Sequence, residues 1–150
     1  MAPEKATTAS GLKLRAVDEE DLAVVSAILQ DALIPIGEMA FLPEERRFVL
    51  VANRFRWERK PEEGGKLFER TLTGVAFDAV TSVKIRGFDR ADRDRILQVL
   101  AVRHEPGAVV FDFSGADSMR LEVERILCHL EDLGEPWPTP WRPRHPLDEG

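Results

Sequence analysis

The sequence predicts an α+β fold: an antiparallel β-barrel of about seven strands, entered through an N-terminal βα unit and capped by a C-terminal helix. Three observations carry this expectation. Apolar and polar residues alternate through most of residues 36–123, the period of strands with one buried face. The breaks between these runs are short and rich in Gly, Pro, Asp and Glu, so consecutive strands are expected to be antiparallel neighbours. Helical spacing of three to four arises in two places, after Asp18 and after Val123. An open sheet of seven strands would leave two long edges, which favours closure into a barrel.

Each element follows from its residues. Leu12, Leu14 and Ala16 alternate with Lys13 and Arg15 as a short first strand. Asp18 is a good N-cap with Asp21 at the box position, Glu19 and Glu20 suit the positive helix end, and Leu22, Val25, Ile28 and Leu29 form the buried stripe. Residues 32–35 are the exit, 36–42 a strand, 43–46 a turn and 48–57 its partner. Residues 60–65, KPEEGG, make a flexible turn, and 67–77 resume strand character with Gly74 marking a bulge. After a bend at Asp78 and Ala79, residues 80–88 continue the sheet, with Val83 and Ile85 on one face. A charged connection at 89–94 leads to the strand 96–103 and a turn at 104–107. Val109, Phe111 and Phe113 then pair across a turn at 115–118 with Met119, Leu121 and Val123. Ile126, Leu127, Leu130 and Leu133 predict a closing helix over 124–133, with Gly134 as its C′ residue and Pro136 as its stop.

Seven antiparallel strands followed by a helix is the order of a pleckstrin-homology-like barrel, a likeness of topology that carries no function. The segments LKLRAVDEEDLAVVSAILQDAL, RRFVLVANRFRWE and MRLEVERI with LEDLGEPWPT resemble a bacterial family of domains of unknown function, DUF2948, from about residue 12 to 140. The resemblance implies strands, one helix and a Pro-Trp-Pro ending, and supplies no catalytic or binding residue.

Composition narrows the class. With 43% hydrophobic and 32% charged residues the 150-residue chain is globular, and its length suits one domain. The expected division is a disordered N-terminus at 1–10, a single barrel domain at 11–135 and a Pro/Trp-rich tail at 136–150. Acidic residues number 27 against 21 Lys plus Arg, a net charge of −6, which disfavours nucleic acid and anionic membrane as partners. The lone Cys128 forms no internal disulfide, residues 1–10 hold no apolar signal region, and no apolar run reaches the ~20 residues of a membrane helix. A cytoplasmic protein is expected.

No catalytic constellation stands out. Neither phosphate-binding glycine pattern is present, His104, His129 and His145 lack metal-type companions, and Cys128 beside His129 has no further partner, so no cofactor and no metal is expected. Ser114, Asp117 and Ser118 are ordinary turn residues, and Glu122 with Glu124 reads as a solvated face. Two stretches rise above this background. The arginine-rich run 46–60 places Arg54 and Arg56 on one strand face and Phe55 and Trp57 on the other. The plainer reading buries the aromatics and leaves the arginines solvated or paired with the many acids; the functional one makes a cationic strip for an anion, with Arg86 as a further member. The tail around Trp137 and Trp141 holds two tryptophans among prolines. Trp137 is expected to fold back onto the barrel, while Trp141 docks either there or on another chain, a dimer mate included. The function expected from all this is a non-enzymatic, cytoplasmic protein-interaction module. The alternative is a small-anion or small-ligand binding domain, an enzyme included, built on the arginines.

Overall fold

The computed structural model describes residues 12–55, 68–134 and 137–139, with 68–69 and 137–139 described by backbone alone. Strand β1 (Lys13–Ala16) leads into helix α1 (Glu19–Leu29), which opens as its sequence dictates. The Asp18 carboxylate accepts the Asp21 N–H at 2.8 Å, and the Asp21 carboxylate accepts the Val17 N–H at 3.0 Å. Two of the orphan donors around the helix start are thereby met. Leu22, Val25 and Leu29 are buried, and the helix packs on β7, β4 and β1.

Ten further strands follow: β2 (Leu33–Pro35), β3 (Met39–Leu42), β4 (Arg47–Phe55), β5 (Phe68–Phe77), β6 (Val80–Arg86), β7 (Ile96–Glu105), β8 (Ala108–Phe113), β9 (Ser118–Val123), β10 (Cys128–Asp132) and β11 (Trp137–Thr139). The main path of the sheet runs β1-β10-β5-β4-β2-β7-β8-β9-β6, with β3 on β4 and β11 on β5. Every pairing is antiparallel. The short β2 ladders with both β4 and β7 and so joins two halves that face each other. Phe77 of β5 meets Phe111 of β8 edge-on, ring centroids 5.9 Å apart, and one apolar cluster runs through both halves and the helix. The fold is α+β, with one α-helix among the described residues, packed on a strongly curved sheet.

Four expectations need correction. The sheet does not close into a barrel: its path ends at β1 and β6, which are not paired with each other. The turn at Asp78 and Ala79, where Ala79 takes φ 61°, sends the chain from β5 into the facing half, and β6 ladders with β9 instead. The two edges this leaves carry Lys13 and Arg15 on β1 and Lys84 and Arg86 on β6, charges that oppose edge-to-edge association. The C-terminal capping helix is absent, because residues 128–132 form β10 between β1 and β5. Cys128 and Leu130 point inward and His129 and Glu131 outward, a period of two that the leucine spacing concealed. The count rises above seven because the expected exit at 32–35 is itself a strand, a 3-10 turn at Ile36–Glu38 divides it from β3, and β10 and β11 are added. Finally, Gly74 is no bulge. Its register with Val51 is unbroken, and its missing side chain makes room for Leu133, whose Cδ2 would lie 3.3 Å from a Cβ there. The predicted flexible turn at 60–65 and the N-terminus at 1–10 lie outside the described residues.

Candidate functional site

The outer face of β7, β8, β9 and β6 is organised by register. Arg103 stands opposite Val110, Val110 opposite Arg120, and Arg120 opposite Lys84, so one cross-strand row holds three cations around a buried valine. The next row sets Asp112 opposite Ser118 and Ser118 opposite Arg86. All of these except Asp112, together with Ile85 and Glu105, line an open cleft of ≈ 290 Å³ with four cations to one carboxylate.

Hydrogen bonds hold most of the row in place. Arg103 donates to both Glu105 and Asp112, the Nε–Oδ2 distance to Asp112 being 2.6 Å. Arg120 donates to Glu105 and, at 3.4 Å, to Glu122, which also accepts the Ser82 hydroxyl at 2.9 Å and pairs with Lys84 at 3.3 Å. The bonds from Arg103 and then Arg120 hold the Glu105 carboxyl below its ordinary range, and those from Ser82 and Lys84 do the same for Glu122. Arg103 is in turn pushed up, first by Asp112 and then by Glu105. Arg86 differs. It is exposed at the edge strand, and no described carboxylate pairs with it. The cleft therefore offers one unengaged guanidinium beside a pre-aligned lattice of charge.

The residues expected to bind fare unequally. Arg86 lines the cleft. Arg54 does not: it is paired with an acid, as the plainer reading allowed, but the expectation that it points away from the core is overturned. It is fully buried on the core side, where its Nη2 pairs with Asp132 at 2.9 Å, its Nε meets Thr73 Oγ1 at 3.0 Å and its Nη1 donates to the Phe55 carbonyl at 3.0 Å. The reason is parity: Phe48, Leu50 and Ala52 face the core, and Arg54 continues their series. Arg56, Trp57 and Trp141 lie outside the described residues. Trp137 belongs to β11 and, by backbone register, stands opposite Arg70 of β5, which in turn stands opposite Phe55. The arginine-rich strand and the tryptophan tail are thus neighbours across one intervening strand. Sequence reasoning missed Lys84, Arg103 and Arg120. Each sits at an outward position of its strand, a legible signal, but their alignment into one row is fixed by register, which a single sequence does not display.

Other groups offer less. Burial and then the Asp78 charge push the Cys128 thiol up to about 12, far from a nucleophile's range. Among the described residues no cluster of three His, Cys, Asp or Glu could hold a metal ion, and no helix is long and apolar enough to cross a membrane.

Comparison with known proteins gives a family match. The model of a family described as protein of unknown function, DUF2948, matches residues 12–145. No curated protein matches. No solved structure matches.

Proposed function

The chain belongs to the DUF2948 family, a membership that assigns no activity, and from the cleft we propose a non-enzymatic interaction module that holds an acidic side chain of a protein partner. The observation that carries this reading is the cross-strand row of Arg103, Arg120 and Lys84 with the unengaged Arg86 beside it. A planar guanidinium takes a carboxylate in two parallel hydrogen bonds, and the neighbouring cations add attraction with no rearrangement of the strands. The carboxylates of Glu105, Glu122 and Asp112 keep the row from repelling itself and set its arms in place. They also leave only a small local excess of positive charge, which suits a reversible contact over a tight one. The rest of the chain is acidic, so the cleft is where an acidic partner would be received. A free small anion would use the same chemistry. A cytoplasmic setting fits the single, buried cysteine.

The test is fluorescence anisotropy of a labelled hexaglutamate peptide titrated with the protein at low and at physiological salt. Binding that weakens with salt, and that Arg86→Ala weakens about three- to ten-fold, is the expected result for one partly exposed charge contact. Equal binding by the native and Arg86→Ala proteins, or no binding by either at low salt, would overturn the reading.

A further inference from the structure

The second buried arginine of β4 and β5 has a different meaning. Arg70 is on the outer face of β5, with Leu72, Gly74 and Ala76, while Thr71, Thr73, Val75 and Phe77 face the core. It is nevertheless only 2% exposed, and Asn53 of β4 only 3%. The Arg70 Nε donates to Asn53 Oδ1 at 2.6 Å, its Nη2 donates to the Asn53 carbonyl at 3.3 Å, and its guanidinium lies 4.5 Å from the centre of the Phe55 ring. Among the described residues, Arg70 Nη1 and Asn53 Nδ2 are buried and meet no acceptor.

The contrast with Arg54 is direct. Arg54 follows Asn53 in the chain, points to the other face and is equally buried, yet it has Asp132 as counterion and Thr73 and a carbonyl as further acceptors. Among the described residues no carboxylate lies within ion-pair distance of Arg70. A buried cation without a counterion carries a heavy desolvation penalty. Burial alone accordingly pushes the Arg70 guanidinium down to about 10. Reversing the Asn53 amide offers no escape, since its NH₂ would then face the Arg70 N–H. Both unmet atoms are donors, so what suits them is an acceptor, and the charge that suits the guanidinium is negative.

We propose that Arg70 and Asn53, backed by Phe55, form a buried socket for a carboxylate, separate from the cleft of Arg86. The Nε edge of the guanidinium is taken by Asn53, which leaves the Nη end as the edge a carboxylate meets. By register the socket lies between β4 and β11. The carboxylate has two sources. One is this chain, whose sequence carries Glu58, Glu62 and Glu63 between β4 and β5 and Glu135 just before β11. The other is a separate molecule.

Side-chain nitrogen NMR of the ¹⁵N-labelled full chain, in chloride buffer and then titrated with sodium acetate, separates the two. Arg70→Lys assigns the Arg70 Nη signals, and Arg86 supplies the freely rotating reference. Restricted Nη rotation without acetate, released when Glu58, Glu62, Glu63 and Glu135 are all changed to Gln, shows a carboxylate of the chain itself in the socket. Free rotation that becomes restricted and shifted saturably by acetate, unchanged in Arg86→Ala, shows a socket for a separate carboxylate. Rotation that stays free at every acetate concentration overturns the proposal. So does restriction that survives the four Gln substitutions and ignores acetate, since packing alone would then account for it.

Discussion

A buried arginine is tolerated where a carboxylate meets it in well-aligned hydrogen bonds, and Arg54 is met in this way by Asp132. Asp132 has further duties, accepting the Thr73 hydroxyl at 2.7 Å and the Leu12 N–H at 2.9 Å. Removing its charge strands the guanidinium in the core, so Asp132→Asn is expected to cost about 3–5 kcal/mol in urea unfolding. Arg54→Met combined with Asp132→Leu should cost well under the sum of the two single changes, because no unpaired charge then remains. Additive losses would show that the pair is not coupled. Arg54 also shows where a sequence reading goes astray. The aromatic Phe55 invites the inward assignment and the charge of Arg54 the outward one. Yet the inward series from Phe48 through Leu50 and Ala52 reaches Arg54 without a break. A buried charge is legible only once its partner is known, and Asp132 lies far along the chain.

The same ambiguity governs whole elements. Helix α1 was legible because its cap, its acidic first turn and its stripe of Leu22, Val25 and Leu29 all agree. The hairpin of β8 and β9 was legible for a like reason, with alternation on both sides of a glycine turn. Residues 124–133 offered two periods at once. The leucine spacing favours a helix, but as β10 the segment completes backbone ladders on both sides and brings Asp132 to Arg54. The two arrangements make different demands on Leu130 and Leu133, which would share one buried stripe on a helix. In the strand Leu130 is buried and Leu133 is 55% exposed. Leu130→Ala is therefore expected to cost about 2–5 kcal/mol and Leu133→Ala less than about 1 kcal/mol. Similar losses at the two positions, read from denaturant midpoints at constant slope, would argue for the helix.

At the scale of the molecule, the question is whether the two facing halves of the sheet stand or fall together. Two ladder regions joined through the short β2 could in principle open separately, as sub-global units of lower stability. The packing argues otherwise. Phe111 is fully buried, touches Phe77 of the other half edge-on at 5.9 Å and stacks with Phe113 at 6.0 Å, while the helix lays Leu22, Val25 and Leu29 into the same cluster. Neither half has an apolar layer of its own to retreat to, since the inner face of each is the cover of the other. Phe111→Ala, a change confined to β8, should then cost about 3–5 kcal/mol. It should lower the opening free energy of the most protected amides in β4 and β5 as much as in β8 and β9. Native-state hydrogen exchange reads both halves in one experiment. Protection lost in β8 and β9 while β4 and β5 keep theirs would mean that the halves are independent, and that β2 is a hinge and not a seam.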